Sequence, residues 1–178
     1  MHTISKLAHR FAIPLVSIAT AGVLAFMFFP KREVQIDVSK LRVTDAIVAT
    51  SSMGELGRPL YLFESADCGF CRQIHPELLK LKNVELKTFV LPGHSPESQL
   101  AAHAAWCSSD RAKAWALVMT GHPTLTSAPD CDFAAVERNL SAARALGLTS
   151  TPSLVRADGR VLSGYHTAED IEAWLQIE

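Results

Sequence analysis

The spacing of apolar residues from residue 59 onward predicts strands that alternate with helices. The apolar run from Pro59 to Phe63 predicts a short buried strand at 59–64, and the apolar residues within 68–82 then follow the spacing of an amphipathic helix. A second strand is predicted at 84–91. Pro76 lies inside the first helix and is expected to kink it, because its ring removes one backbone hydrogen bond. This half of the chain is therefore predicted to form a β-α-β unit.

The second half of the chain contributes a helical block, a β-hairpin and a final helix. The predicted bounds are helices at 97–120 and 132–146, strands at 153–156 and 161–162 joined by a turn at Asp158-Gly159, and a helix that Thr167 caps. A loop with two prolines separates the first two helices. This order of elements predicts an α/β protein with a thioredoxin fold that carries a helical insertion at about 95–147.

The first 30 residues predict a membrane segment. Lys6 and Arg10 precede a run from Phe11 to Phe29 that contains no charged residue, and about 20 apolar residues suffice to cross a bilayer. We therefore expect a single N-terminal transmembrane helix within 1–30, with residues 11–29 in the membrane. A cleavable export signal ending at Ala19-Thr20-Ala21 is the alternative, although the apolar run continues past that site.

Residues 31–58 carry the weakest pattern in the chain. The stretch 33–38 alternates like a short half-exposed strand, and 39–50 has the pattern of a weak helix. Fewer than about 40 residues rarely fold alone without a staple such as a disulfide. We therefore expect a spacer that packs in part against a main domain over 59–178.

The composition limits the classes of function. Apolar residues make up 48% of the chain and the formal net charge is -1, so the chain has ample material for a core and no basic stripe. We accordingly expect no nucleic-acid partner. The chain has four cysteines, and an even count in an exported protein favours one redox-active pair and one structural pair.

Cys68 and Cys71 lie where the first predicted strand is followed by the first predicted helix. Unpaired N–H groups and the helix dipole at this position favour a thiolate on Cys68, and the thiolate is the form that attacks a disulfide. Cys71, nearly one turn further on, is placed to resolve the mixed disulfide. Half of a zinc site that includes His75 is the alternative, but a closed zinc site needs four ligands. We expect thiol–disulfide exchange without a metal or a cofactor.

Thr151-Pro152 immediately precedes the predicted strand at 153–156. In this topology a proline at that position is a candidate cis peptide, and its ring is expected to lie against the dithiol. The backbone of Thr151 would then offer hydrogen bonds to an extended substrate. An ordinary trans bond that starts an edge strand is the alternative. Gly69 and Phe70, between the two cysteines, are further candidates for substrate contact.

Cys107 and Cys131 flank the loop of the helical insertion. A disulfide that closes a loop of this length would stabilise the fold by about 3 kcal/mol in the chain-entropy model. Two buried free thiols are the alternative.

Three polar residues near the dithiol are weaker candidates for a role in its chemistry. His75 could tune Cys71, and a carboxylate at Glu64 or Asp67 could raise a thiol pKa or shuttle its proton. A surface histidine and solvated loop carboxylates are the simpler expectations. Three tryptophans are expected in the core rather than in a substrate platform: Trp106, Trp115 and Trp174.

Several motifs occur in a fixed order along 59–178 and give the chain a resemblance to a known family. They are Cys68-Gly69-Phe70-Cys71 with His75, Ala105-Trp106-Cys107, Lys113-Ala114-Trp115, Cys131-Asp132, Thr151-Pro152 and Gly164-Tyr165. With these motifs the chain resembles the catalytic domain of the periplasmic DsbC/DsbG-type thiol–disulfide interchange proteins. The resemblance implies a thioredoxin-fold enzyme with Cys68 as nucleophile, Cys71 as resolving thiol, a cis Pro152 and a structural Cys107–Cys131 disulfide.

The resemblance also implies an activity and a location. It implies an isomerase or reductase that acts on wrong disulfides in exported proteins, together with a membrane redox partner that reduces the dithiol. The chain departs from the family because only residues 31–58 stand where the N-terminal dimerisation domain is expected, and because a membrane anchor replaces a plain cleaved signal. We expect a single-pass inner-membrane protein with its catalytic domain in the periplasm, or a soluble periplasmic protein after cleavage. A net dithiol oxidant and a non-catalytic module that handles metals or binds clients are the alternative functions.

Overall fold

The computed structural model describes residues 34–50, 57–123 and 131–176. They belong to one compact unit that spans 33–178. The predicted transmembrane segment at 11–29 lies outside these residues. Within the described ranges, no helix has the length and apolar character that a membrane crossing requires.

The described residues form five strands and five α-helices. In chain order these are β1 (Ile47–Thr50), β2 (Arg58–Ser65), α1 (Gly69–Leu78), β3 (Val84–Leu91), α2 (Pro96–Trp106), α3 (Arg111–Met119), α4 (Ala134–Ala145), β4 (Ser153–Arg156), β5 (Val161–Ser163) and α5 (Ala168–Gln176). Two short 3-10 turns, Val38–Lys40 and Val43–Asp45, precede β1.

The five strands form one mixed sheet in the order β1-β3-β2-β4-β5. β2 and β3 are parallel and joined through α1, with Arg58 opposite Val84 and Ser65 opposite Leu91. β4 is antiparallel to β2, and β5 is antiparallel to β4. The cysteine-bearing helix therefore begins at the end of a central strand, which is buried by neighbours on both sides.

Side chains alternate between the two faces of the sheet along each strand. Apolar side chains therefore project from both faces, and helices cover both of them. On one face, Leu60, Leu62 and Leu154 pack against side chains of α1 and α5, including Ile74 and Ile171. On the other face, three strand residues pack against α4 and against the segment before β1: Phe63, Phe89 and Val155. The rings of Phe63 and Phe89 are stacked, with centroids 4.9 Å apart.

The segment expected to be a spacer supplies an edge strand of the sheet. β1 pairs antiparallel with β3, with Ile47 opposite Thr88. The alternation at 33–38 gives only an isolated bridge between Gln35 and Arg160. The segment 39–50, predicted as a weak helix, instead contains the two 3-10 turns followed by β1, because the open edge of β3 supplies hydrogen-bond partners that outweigh a weak helical preference.

The helical insertion is divided more finely than the pattern predicts. The single helix expected at 97–120 is two helices, because Asp110 interrupts it and caps α3 by accepting from the Lys113 N–H at 3.0 Å. Ser95 caps α2, and Pro96 occupies its first position. The loop of the insertion is described only up to residue 123 and again from 131.

Candidate functional site

Cys68 is the N-cap residue of α1, and its side chain lies at the positive end of the helix. The Cys71 N–H donates to the Sγ atom of Cys68 over 3.1 Å. An N–H donor and the helix dipole both stabilise negative charge on this sulfur. A disulfide joins the two cysteines, whose Cα atoms are 5.2 Å apart.

The two cysteines differ sharply in exposure. Cys71 is 0% exposed and packs in the core cluster that contains Trp115, whereas Cys68 is only half-buried at the edge of that cluster. Gly69 and Phe70, which lie between them, are exposed, and Phe70 retains 58% of its surface. An attacking group from solution can therefore reach Cys68 but not Cys71.

The loop before β4 lies directly beside the disulfide. The Thr151–Pro152 peptide bond is cis, as predicted, and the carbonyl oxygen of Thr151 lies 3.3 Å from the Sγ atom of Cys68. The carbonyl of Pro152 accepts from the Gly164 N–H at 2.8 Å, which ties this loop to the end of β5. The structure thus brings the Cys-x-x-Cys motif and Thr151-Pro152 together.

Asp67 is an exposed loop residue, as expected, and its carboxylate is also held in place by hydrogen bonds. Its two oxygens accept from the Ser65 hydroxyl at 2.7 Å and from the His94 backbone N–H at 2.6 Å. Burial raises the pKa of Asp67, but these hydrogen bonds outweigh burial and hold that pKa below its usual value. The ionised side chain ties the loop after β3 to the residue that precedes Cys68.

Glu64 was expected to be a solvated loop carboxylate, and this expectation was wrong, because Glu64 is a fully buried residue of β2. Its Oε1 atom accepts from the indole N–H of Trp115, and no described residue bonds to its Oε2 atom. Burial raises the pKa of Glu64 to about 8, against a smaller opposing effect of the Trp115 hydrogen bond. The side chain is therefore mainly protonated at neutral pH. Glu64 lies two residues after Leu62 and four after Leu60, and side chains at this spacing in a strand point to the same face of the sheet. This spacing could have predicted that Glu64 is buried with the two leucines.

His75 is buried as well, which corrects the expectation of a surface histidine. It is 6% exposed, and neither ring nitrogen has a hydrogen-bond partner among the described residues. Burial lowers the pKa of His75, so the ring is neutral in the fold at neutral pH. His75 follows Cys71 by one turn on the inner side of α1, and both side chains are buried. Nowhere in the described part of the chain do three or more His, Cys, Asp or Glu side chains form a group that could hold a metal.

A second disulfide joins Cys107, which ends α2, to Cys131 just before α4, with Cα atoms 5.5 Å apart. The neighbouring Trp106 donates its indole N–H to the Asp132 carbonyl at 2.9 Å. The guanidinium of Arg111 lies 4.0 Å above the Trp106 ring. Trp106 and Trp115 are core residues, as expected, and Trp174 is half-buried beside Arg156.

A mixed sheet of this order, with a Cys-x-x-Cys disulfide at the start of α1 and a cis-proline loop beside it, defines a thioredoxin-like fold with a dithiol–disulfide site. A family model described as a thioredoxin-like domain matches residues 48–177. The chain belongs to this thioredoxin-like family.

Curated relatives of the chain are DsbC-type thiol:disulfide interchange proteins. A probable thiol:disulfide interchange protein DsbC from Bordetella parapertussis is 34% identical over 122 residues, which cover 68% of this chain and 43% of that protein. The thiol:disulfide interchange protein DsbC of Escherichia coli K12 is 25% identical over 118 residues, which cover 64% of this chain and 49% of that protein. The chain thus matches less than half the length of these two relatives.

A solved structure shows the same similarity. The crystal structure of a disulfide interchange protein from Neisseria gonorrhoeae has a TM-score of 0.67 and 30% sequence identity. The match covers 78% of this chain and 100% of that chain. The catalytic domain of Proteus mirabilis ScsC is 18% identical with a TM-score of 0.61, over 74% of this chain and 88% of that one, and supports the fold alone.

Proposed function

We propose that this chain is a thiol–disulfide oxidoreductase of the isomerase or reductase type that acts on disulfide-containing exported proteins. The observation that carries the proposal is the position of the Cys68 sulfur. It caps α1, accepts from the Cys71 N–H and lies 3.3 Å from the Thr151 carbonyl, while Cys71 is fully buried. The names of the relatives support the same chemistry.

The reaction begins with the reduced protein. The Cys68 thiolate attacks one sulfur of a substrate disulfide, a new S–S bond forms, and the other substrate sulfur leaves as a thiolate. Cys71 then gives up its proton and attacks the Cys68 sulfur, which releases the second substrate thiol and forms the Cys68–Cys71 disulfide. Two electrons pass from the protein to the substrate. In isomerisation, a thiolate of the substrate itself attacks the mixed disulfide, and the protein leaves in its reduced form.

Substrate binding is proposed at the surface around Cys68. The backbone of Thr151 offers pairing to an extended segment, with Pro152 fixing the loop beside the disulfide. Gly69 and Phe70 border the other side of the sulfur. Phe70 and Tyr165 are exposed by 58% and 41%, which suits contact with the apolar side chains of an incompletely folded protein.

The chain organisation and location are part of the proposal. Residues 1–30 serve as membrane anchor or signal and 59–178 as catalytic domain, and the connecting segment 31–58 also supplies the edge strand β1 to the sheet of that domain. The catalytic domain works in the periplasm, anchored in the inner membrane or soluble after cleavage. A membrane redox partner keeps the dithiol reduced.

The test is the rearrangement of a scrambled multi-disulfide protein by catalytic amounts of the purified chain. We expect native pairing to be recovered with the wild type and lost with Cys68→Ser. Ser141→Ala, an exposed change on α4, is the matched control and keeps the activity. Rearrangement that persists in Cys68→Ser, or that never occurs in the wild type, contradicts the proposal.

A second measurement separates an isomerase or reductase from a net oxidant. The Cys68–Cys71 pair is equilibrated with glutathione buffers, and its reduction potential is determined. About 30 mV corresponds to 1.4 kcal/mol for this two-electron couple. A potential near that of known periplasmic oxidants, together with net disulfide formation in a reduced substrate, would favour the oxidant instead.

A further inference from the structure

A polar recess of about 500 Å³ opens beside the second disulfide. Both cysteines of that disulfide, Cys107 and Cys131, line the recess. Cys107 is 9% exposed, whereas Cys131 is half-buried and is therefore the more accessible residue of the pair. A small thiolate that enters the recess can thus approach this disulfide in the folded protein, and it reaches Cys131 more readily than Cys107.

Three arginine side chains stand in the wall of the same recess: Arg42, Arg111 and Arg138. The Nε atom of Arg111 donates to the carbonyl oxygen of Trp106 at 2.6 Å, and the guanidinium lies 4.0 Å above the Trp106 ring. These two contacts fix the charge of Arg111 in the wall. Fixed, planar guanidinium groups are well suited to bind carboxylates, because little side-chain freedom is lost when the ligand arrives.

Two aspartates in the wall reduce this positive charge but do not cancel it. Asp45 is 4% exposed, and its two oxygens already accept from the Arg138 guanidinium at 2.8 Å each. Asp132 is exposed, and its Oδ1 atom accepts from the Ala134 N–H at 2.8 Å. Three arginines against two aspartates leave an excess of positive charge beside the disulfide. This charge attracts a small anion and repels a small cation.

The sulfur of Cys107 lies beside a histidine. The Nε2 atom of His103 is 3.9 Å from the Sγ atom of Cys107, and the His103 ring packs against Phe133 with centroids 4.8 Å apart. When Nε2 carries a proton, the ring donates to this sulfur and stabilises negative charge on it. Cys107 is therefore placed to leave as a thiolate when Cys131 is attacked, since a more stable thiolate leaves faster.

We propose that Cys131 is a thiolation site, at which a small anionic thiol, the class to which glutathione belongs, opens the Cys107–Cys131 disulfide. The thiolate of the small molecule attacks the Cys131 sulfur and forms a new S–S bond with it. The bond between Cys131 and Cys107 breaks, and Cys107 leaves as a thiolate that takes up a proton from solvent. One disulfide replaces another, so the step needs no further oxidant or reductant.

The inference is independent of the proposed function at Cys68. It gives the chain a second redox-responsive site, formed by the end of α2 and the residues just before α4. Opening this disulfide releases the loop that it closes, and the stabilisation that loop closure provides is lost. The stability of the domain would then depend on the concentration of anionic thiols around it.

The test uses the full chain with Cys68→Ala and Cys71→Ala, which leaves only the second disulfide. Three thiols of similar size differ in charge: 3-mercaptopropionate is anionic, 2-mercaptoethanol is neutral and cysteamine is cationic. Each rate constant is divided by that of the same thiol with 2-hydroxyethyl disulfide, which corrects for intrinsic reactivity. Peptide mapping by mass spectrometry locates the adduct. We expect it on Cys131, with a normalised rate about tenfold or more higher for the anionic thiol than for the cationic one.

Three variants connect this preference to the recess. Arg42→Gln and Arg111→Gln each remove one positive charge from the wall, and each is expected to reduce the anionic-to-cationic rate ratio by about threefold or more. His103→Phe keeps a ring against Phe133 but cannot donate to Cys107, so all three thiols should react more slowly while the ratio is retained. Arg144→Gln, an exposed change on α4 outside the recess, is the matched control and keeps both the rates and the ratio.

Four results would overturn the inference. Equal normalised rates for the three thiols would remove the anion preference, and a ratio unchanged in both Arg42→Gln and Arg111→Gln would separate it from the recess. An adduct found mainly on Cys107 would reverse the roles of the two sulfurs. No reaction, or a reaction that low concentrations of urea accelerate steeply, would show that the disulfide opens only on unfolding. None of these results tests the Cys68 reaction, because Cys68 is replaced in the chain used.

Discussion

The Sγ atom of Cys68 lies 3.3 Å from the carbonyl oxygen of Thr151, although 83 positions separate the two residues. Strand pairing produces this contact. β2 and β4 are antiparallel neighbours with Phe63 opposite Ser153, so the residues that follow β2 lie beside the residues that precede β4. The nucleophile and the proposed substrate-pairing loop are thus held by adjacent strands of one sheet, and their spacing does not depend on a flexible hinge.

The difference in exposure between the two cysteines predicts opposite outcomes for their serine variants. Cys71→Ser removes the resolving thiol, so Cys68 should accumulate as a stable mixed disulfide with a client protein. Cys68→Ser should give no such adduct, because Cys71 is 0% exposed. Non-reducing electrophoresis after alkylation measures the adduct. Equal trapping by both variants would show that Cys71 is reachable and would contradict the assignment of roles.

Glu64 should make the stability of the protein decrease as the pH rises. Its pKa is raised by burial from 4.5 to about 8, so between these values the folded state binds a proton that the unfolded state has released. The free energy of unfolding therefore falls across this window, by at most about 1.4 kcal/mol per pH unit. Glu64→Gln keeps an oxygen for Trp115 but cannot ionise.

The measurement for Glu64 is urea unfolding of the wild type and Glu64→Gln at several pH values. The advantage of the variant should grow from pH 4.5 to pH 8, the range set by the two pKa values, and the other titrating groups cancel in the difference. A difference that is constant with pH would mean that Glu64 ionises normally in the fold. Glu137→Gln, an exposed change on α4, serves as control.

Asp45 should have the opposite pH dependence. It is 4% exposed, and its two oxygens accept from the Arg138 guanidinium at 2.8 Å each. The Arg138 hydrogen bond is the main cause that lowers the pKa of Asp45 below its usual 3.8. Its stabilisation is therefore fully present above that value and is lost as the pH falls through the lower folded-state pKa.

We expect Asp45→Asn to lower the free energy of unfolding by about 2 kcal/mol at pH 7, because it weakens charge-assisted hydrogen bonds at a buried site. The loss should shrink below about pH 4 as the wild-type carboxylate is protonated. Arg42→Gln is the control, since Arg42 is largely exposed and contacts Asp45 only at 3.7 Å. An effect of Arg42→Gln as large as that of Asp45→Asn would contradict this ranking.

The Cys107–Cys131 disulfide should contribute to stability and not to the exchange reaction. It closes a loop of 24 positions, and its removal in Cys107→Ser/Cys131→Ser should lower the free energy of unfolding by about 3 kcal/mol. The rate of Cys68-dependent peptide reduction, measured where the variant is still folded, should be retained. A large drop in that rate for the folded variant would indicate that the second disulfide takes part in the chemistry.

Local sequence signals were sufficient for the reactive motif and for the order of the main elements. The position of Cys68 at a helix N-terminus follows from the strand pattern before it and the helical spacing after it. Both patterns depend only on residues that are close to Cys68 in the sequence. Thr151-Pro152 is a recognisable motif in this order of elements, and its peptide bond is cis. The expected thioredoxin-like fold of the domain was confirmed by the family match.

Only the tertiary structure decided which polar groups are buried and which segments pair. Glu64 and His75 were expected in solvent, yet the helices of the insertion cover Glu64 and both side chains are buried. β1 pairs with the edge of β3, and its residues Ile47 and Val48, which favour strands, lie in a segment that was expected to be a weak helix. Burial and pairing depend on partners far away in the chain, whereas helix starts, turns and the Cys-x-x-Cys spacing depend on neighbours.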